Sequence, residues 1–304
     1  MSAPIGGQAV LEGVMMRGPS AWSVAVRKPD GEIAEVNRPI SSFLLKHRWA
    51  RLPVVRGVFA LGESLAIGFR ALAISANYAA QEEGEDGEVQ TELSRGQLLF
   101  AFGIAIGFAL LLFKVSPALI TNWLPIESTT WFVVVEGLIR VSVFILYLVI
   151  VGFMPDLKRV FQYHAAEHKA INAYEAGDTL EPEVVQRYSL IHVRCGTAFL
   201  LYVMVIAIFV FAFVGQPGWF WLIVSRIALL PVIAGIAYEV IRFAGKHPTN
   251  PILRTILAPG LWLQRLTTRA PSLDQIEVSI RALHEVLRLE GRLTPEERKV
   301  EVMA

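Results

Sequence analysis

The sequence predicts a mainly α-helical, polytopic membrane protein with four transmembrane helices, a small amino-terminal β-hairpin and cytoplasmic amphipathic helices. Three observations predict it. Of 304 residues, 54% are hydrophobic and only 18% charged, and mean hydropathy is positive, a balance too apolar for a water-soluble domain of that size. Four stretches, 98–121, 131–153, 196–214 and 219–241, each supply the roughly 20 apolar residues a hydrocarbon core requires. Lys and Arg are distributed unevenly between the connections. The 114–130 connection has only Lys114 and 215–218 has no charge, whereas 154–195 carries Lys158, Arg159, Lys169, Arg187 and Arg194. Because cytoplasmic loops retain basic residues, both termini and the central loop are expected in the cytoplasm, with the chain in the cell inner membrane.

Residues 1–50 are expected to form an amino-terminal cytoplasmic region. It begins without a basic segment leading into an apolar one, so no cleavable signal peptide is expected. GGQAVLEGVMMRGP (6–19) is glycine-rich but lacks GxxxxGK[ST], which argues against a nucleotide-phosphate loop. Its glycines are expected in tight turns packed against the region of residues 154–195, with Glu12 and Arg17 solvated in preference to contributing polar contacts there. SVAVRKPDGEIAEV (23–36) sets two alternating β-branched runs around PDGE, a hairpin signature.

Residues 51–97 follow. In 54–80, Val54, Val55, Val58, Phe59, Leu65, Phe69 and Leu72 are interspersed with Arg56, Glu63 and Arg70, which suits an amphipathic surface helix rather than a fifth span. QEEGEDGEVQTE (81–92) reads as an acidic solvated linker.

The four-helix bundle occupies 98–241. Gly103 and Gly107 stand in GxxxG spacing, and three charges fall inside spans: Glu136, Arg140 and Arg226. Such charges are costly in hydrocarbon, so they should face one another within the bundle; a transport path is the rival use. Residues 242–304 are expected to form cytoplasmic interfacial and amphipathic helices. PILRTILAPGLWLQRLTTR (251–269) should lie in the interface and break at Pro259–Gly260. SLDQIEVSIRALHEVLRLE (272–290) opens with Ser272 and Gln275 as a capping box and puts Ile276, Ile280, Leu283 and Leu287 on one face, which needs a partner surface.

The chemistry is concentrated in the 154–195 loop. Pro155, Asp156 and Gly177 bracket a helix over 155–175, on which His164, Glu167, His168 and Glu175 share a face. Two imidazoles at i and i+4 can reach one divalent cation, zinc being preferred, and Glu167 beside them is placed to take a proton from water. HxxEH is the reverse of the HExxH metalloprotease order. The same cytoplasmic rim should receive His192 and Cys195, from HVRC before the third span, and Glu239, from AYEVIR late in the fourth. Two ligand sets stay open. His164 and His168 with one of His192, Glu239 or Cys195 leave a coordination position for catalysis; His164, His168, His192 and Cys195 together close the site into a structural staple. Glu175 is expected to orient a histidine from behind the ligands. His47, His247 and His284 read as surface or interface histidines.

Net charge is +1, and the basic residues of 242–269 lack aromatic interleaving beyond Trp262, so anionic lipid rather than nucleic acid is the expected contact. One cysteine excludes an internal disulfide framework.

GGQAVLEGVMMRGP (6–19), AVRKPDGEI (25–33), YHAAEHKAI (163–171), HVRCGTAFL (192–200) and PGLWLQRLTTRAPSLDQIEVSIRAL (259–283) together resemble the YqhQ-like family of bacterial multi-pass membrane proteins, described as predicted metal-dependent enzymes. The resemblance covers nearly the whole chain and implies the membrane class and a metal site without a substrate. Residues and resemblance together lead to the expectation of a zinc-dependent hydrolase of a peptide, amide or ester at the cytoplasmic face. The alternatives are a transporter or channel around Glu136, Arg140 and Arg226, or a scaffold with structural zinc. Homo-oligomerisation is left open.

Overall fold

A computed structural model describes residues 5–79, 95–215, 219–247 and 250–292. The acidic linker expected at 81–92 and most of the 215–218 connection lie outside the described residues.

Four strands come first: β1 (Gly6–Val10), β2 (Gly13–Arg17), β3 (Ala21–Arg27) and β4 (Ile33–Pro39). They pair consecutively into an antiparallel meander. The expected hairpin is β3–β4, closed at Gly31 with φ +91°, a conformation glycine adopts without steric cost. The glycine-rich segment expected in tight turns is instead the hairpin β1–β2. It escaped the strand signature because β2, GVMMR, does not alternate in polarity. Val14 and Met16 face one side, with Ala25 opposite Val14; Met15 faces the other beside Val24. Both sides are covered, so both registers are apolar.

The remaining elements are helical. A short α1 (Phe43–Lys46) and one 3-10 turn (Trp49–Arg51) lead into α2 (Val55–Ala79). Then come α3 (Arg95–Leu110), a π-helical turn (Leu111–Val115), α4 (Ser116–Asn122) and α5 (Thr129–Val151). After α6 (Pro155–Ala176) and the short α7 (Pro182–Val185) come α8 (Gly196–Val214), α9 (Trp219–Lys246), α10 (Pro251–Thr267) and α11 (Leu273–Leu289).

Two cores result. In the first, the sheet is sandwiched between α2 and the pair α6–α11. Tyr163, Ala166, Ala170 and Ile171 of α6 and Ile276, Leu283 and Leu287 of α11 close over Val14, Met16 and Ala25, while Ile67 and Ala71 of α2 cover Met15, Trp22 and Val24. This is the partner surface the amphipathic 272–290 helix required. Its capping box is present, with Ser272 Oγ accepting from Gln275 N–H and the Gln275 side chain accepting from Ser272 N–H. The second core is the apolar bundle of α5, α8 and α9 with α10 at its base. Helix α10 runs through Pro259 rather than breaking there. Gly260 is pressed against the Tyr202 ring, and the Tyr202 hydroxyl donates to the Leu257 carbonyl at 2.7 Å, so tertiary contacts offset the main-chain bond that proline forfeits.

Five helices are long and apolar enough to cross a membrane: Val55–Ala79, Leu99–Asn122, Thr129–Val151, Gly196–Val214 and Val224–Lys246. Four match the expected spans; the fifth is the segment expected to be amphipathic. A multi-pass membrane protein has this composition, and a bilayer is the environment it suits.

The cores are joined where α2 crosses α9. A Cβ on Gly235 would stand 2.5 Å from the Val54 carbonyl oxygen, and one on Gly57 2.8 Å from Tyr238 Cβ, so both positions need the missing side chain. Gly235→Leu is therefore expected to cost about 1–3 kcal/mol by overpacking and to lower the thermal midpoint in detergent. Gly103→Ala, where nothing lies within 4 Å, should cause no loss.

Candidate metal centre

Helix α6 starts at Pro155 with Asp156 in its first turn and ends at Gly177, whose φ of +77° makes the left-handed cap expected from the sequence. Its apolar face is spent on the sheet and α11, and a polar stripe turns towards the bundle.

Two imidazoles on that stripe are held identically. His164 Nδ1 lies 2.8 Å from the Thr267 carbonyl, and His168 Nδ1 lies 2.6 Å from the Leu190 carbonyl. A carbonyl oxygen can only accept, so both Nδ1 atoms carry hydrogen and donate. In the neutral ring this fixes the tautomer that leaves the Nε2 lone pair free. His164 Nε2 points at Cys195 Sγ, 3.2 Å away. His168 Nε2 is buried and has no hydrogen-bond partner among the described residues. The rings meet edge to face with centroids 4.4 Å apart.

Cys195 arrives from outside α6. It is the buried residue immediately before α8, and Thr197 Oγ1 lies 3.0 Å from its sulfur. The ligand atoms of His164, His168 and Cys195 all lie within 4.8 Å of one another. Two nitrogens and a thiolate sulfur are a donor set that zinc favours, and a tetrahedral zinc site separates its donors by about 3–4 Å. An orphaned, tautomer-fixed Nε2 facing a thiolate therefore fits a divalent cation.

The local electrostatics favour a thiolate at Cys195 and a proton on His164 Nε2, and a cation binding there would displace that proton. Burial opposes a charge on His164, but the Cys195 thiolate, its hydrogen bond and the Glu167 carboxylate outweigh it and hold the imidazolium to about 9. Burial likewise opposes the Cys195 thiolate, yet His164 and His168 pull the thiol well below its ordinary range. For His192 burial wins against the nearby Glu167 and Cys195, keeping its ring neutral to lower pH than usual.

The other sequence-derived residues fall around this cluster or away from it. Glu167 is buried beneath β1, where a Cβ on Gly7 would come within 2.6 Å of its Cγ and 2.8 Å of Oε1. The expectation that glycines of 6–19 pack against this region holds at Gly7. His192 stands one layer back: its ring centroid is 5.8 Å from that of His168, and its Nε2 is 3.5 Å from Glu175 Oε2. Gln264 fixes it through both main-chain groups, accepting from its N–H and donating to its carbonyl, each at 2.9 Å. Glu175 thus meets His192 rather than His164 or His168, and it also pairs with Arg194.

Glu239 is not brought to the cluster. Its carboxylate accepts from Arg56 Nε at 2.6 Å and from Arg56 Nη2, with Val54 N–H at 3.4 Å, so its partner is a guanidinium. Glu12 and Arg17 are paired rather than simply solvated, Glu12 with Arg159 and Arg17 with Glu63 at 2.6 Å.

Sequence reasoning missed the groups that hold the two imidazoles. Lys169 Nζ donates to the Gln186 and Tyr188 carbonyls at 2.6 and 2.5 Å, and Asn172 donates to those of Ser189 and Ile191. Together they clamp the strip that presents the Leu190 carbonyl to His168. Lys169 and Asn172 lie at HxxEHK and three residues on, the only signal that could have found them; the carbonyls have none.

A family model described as "Protein of unknown function (DUF1385)" matches residues 52–289. The chain is also 35% identical to a Bacillus subtilis (strain 168) protein named "Uncharacterized protein YqhQ" over 295 residues, covering 94% of this chain and 93% of that one. No solved structure matches.

The seat of Glu167 gives a double-mutant test. Gly7→Ala is expected to destabilise the protein by roughly 1–3 kcal/mol, read as a lowered thermal midpoint, and the loss should largely vanish in a Glu167→Ala background that frees the space.

Proposed function

The chain belongs to the DUF1385 family, as a YqhQ-like protein, and we propose that it is a zinc-dependent hydrolase acting on a peptide, amide or ester at the cytoplasmic surface of the inner membrane. The observation that carries this reading is the convergence of two Nδ1-anchored imidazoles on one thiol, with the buried Glu167 next to His168 in α6 and acting electrostatically on His164.

His164, His168 and Cys195 would hold the ion. Three protein ligands leave a tetrahedral ion one position for an exchangeable partner. Bound there, the cation supplies Lewis-acid chemistry, lowering the pKa of water and polarising a carbonyl. The chain's own residues do the rest. Glu167, one residue from His168 and held down by β1, is the base that accepts a proton from attacking water and returns it to the leaving group. The Thr267 and Leu190 carbonyls keep both rings from turning. His192 and Glu175 support the cluster from behind.

Helix α2 supports one placement in the membrane. Its Ile67 and Ala71 cover the sheet, whose edge strands β1 and β4 carry main-chain groups that hydrocarbon does not satisfy. Helix α2 therefore lies along the cytoplasmic layer, and the other four apolar helices cross. With the basic residues of 154–195 and 242–269 inside, sheet, α6 and α11 share the cytoplasmic side, and lipid contacts the amphipathic α10.

A structural staple is the second reading, favoured by the presence of Cys195 in the ligand set and by the nearness of the His192 ring. Elemental analysis of the purified full-length protein separates the two. The hydrolase reading expects about one zinc per chain, lost in His164→Ala and Cys195→Ala and retained in Glu239→Gln and His192→Ala. Glu167→Gln should keep its zinc while hydrolysis of peptide and ester test substrates falls by about 10²-fold or more. Full zinc in Cys195→Ala would sink the site; zinc lost in His192→Ala, with Glu167→Gln indistinguishable from wild type, would make it a staple.

A further inference from the structure

Among the described residues, one edge of the sheet is left without a partner strand and without the usual guards. The strands pair in the order β1–β2–β3–β4, so β1 and β4 are the edges. An edge offers main-chain donors and acceptors to any chain able to pair with it, and charges and proline discourage that pairing. β4 carries Glu35 and Arg38 and ends at Pro39, whereas β1, GGQAV, has neither a charge nor a proline. Gly6 and Gly7 are exposed and Ala9 is half-buried.

The ladder fixes which groups of β1 face outward. Arg27 N–H donates to the Glu12 carbonyl at 2.8 Å and Gly18 N–H to the Ala21 carbonyl at 2.9 Å, so the even-numbered residues of 12–18 bond to β3. Main-chain groups alternate sides along an antiparallel strand, so Gly13, Met15 and Arg17 bond to β1, opposite Val10, Gln8 and Gly6. Gly7 and Ala9 are left with both N–H and C=O turned away from β2. No hydrogen bond from outside the sheet reaches either of them among the described residues.

This edge lies on the side of the candidate metal centre. Glu12 pairs with Arg159 and Gly7 stands over Glu167, so β1 runs along α6 in the opposite sense, above the line Tyr163–Glu167–Ile171. At about 3.6 residues per turn, Ala166 and Ala170 fall on one side of that line, towards the covered sheet, and His164 and His168 on the other. A further strand beside β1, roughly 4.8 Å outward, would pass above the two imidazoles. We propose that the outer edge of β1 takes the substrate as that strand: an extended peptide antiparallel to β1, with Gly7 and Ala9 each exchanging N–H and C=O bonds with the residue opposite. The inference rests on the hydrolase reading and narrows its substrate to a peptide in extended form, because an isolated ester or amide has no ladder of main-chain groups to pair. Recognition by main-chain bonds sets where along α6 the peptide lies and asks little of its side chains.

The test uses the full-length Glu167→Gln protein, zinc-loaded in detergent, and a random decapeptide library. The tightest-bound decapeptide is resynthesised with one main-chain N-methyl at each position in turn, and its affinity is read by fluorescence anisotropy. Pairing with β1 predicts a loss of about 10-fold or more for methyls at two positions two residues apart, while the residue between them tolerates its methyl within about 3-fold. Ala9→Pro removes an outward N–H where an edge strand accepts proline, and it should weaken the unmethylated peptide about 10-fold. The methyl series decides the matter should Ala9→Pro fail to fold. Wild type should cleave the same decapeptide. An affinity indifferent to methyl position, or no decapeptide retained, would overturn the edge site, and hydrolysis of p-nitrophenyl acetate by wild type would show the hydrolase reading surviving it. Alternation without cleavage of decapeptide or ester would support the edge site and sink the hydrolase reading. A dimer in solution that retains no peptide would overturn the proposal in favour of a second copy of the chain on β1.

Discussion

Two hydrogen bonds carry the rest of the architecture: His164 Nδ1 to the Thr267 carbonyl and His168 Nδ1 to the Leu190 carbonyl. A helix can align two imidazoles, but it cannot choose which ring nitrogen each presents. That choice is made by acceptors lying 103 and 22 residues away in sequence, and each needs its own support. The Leu190 carbonyl belongs to a strip clamped by Lys169 and Asn172. Thr267 ends α10, which is tied to the segment before α8 through Gln264 and His192 and to α8 itself through Gly260 and Tyr202. Loosening any of these frees a ring to turn, and a turned ring loses its lone pair to the wrong side.

The site consequently stands at the seam between two cores. The sheet, α6 and α11 form a packed layer that fixes where the helix face points, and the Gly7 surface of β1 presses Glu167 into place. The membrane bundle supplies Cys195, at the residue where a polar strip becomes α8. Neither core contains all of His164, His168 and Cys195, so the docking of one on the other builds the cluster. That docking is secured at the glycine crossing of α2 and α9, where the Arg56–Glu239 pair also closes the seam. Such a partly buried charge pair would be costly to break one-sidedly, which ties Glu239 to holding the layers together.

What was legible in the sequence was what depends on local pattern. Helical period placed His164, Glu167 and His168 on one face, Pro155 and Gly177 bounded α6, and Ser272 with Gln275 announced α11. Strands β1 and β2 were hidden because a strand buried on both sides has no alternation to read. Helix α2 combines enough charge to look amphipathic with enough apolar length to look like a span, and only its cover over the sheet separates the two. Glu239 reads from the sequence as a candidate ligand, but its pairing across α2 and α9 is a tertiary fact, and Arg56 gives no local hint of it. Main-chain carbonyls leave no mark in a sequence at all, which is why the two bonds that orient the imidazoles could not have been foreseen.

The most direct measurement is the zinc K-edge X-ray absorption spectrum of the purified, zinc-loaded protein. The account predicts one sulfur at about 2.3 Å and two imidazole nitrogens at about 2.0–2.1 Å, with the outer-shell scattering of rings bound through Nε2, and one further light donor. A spectrum without sulfur, or one fitted by oxygen donors alone, would contradict it.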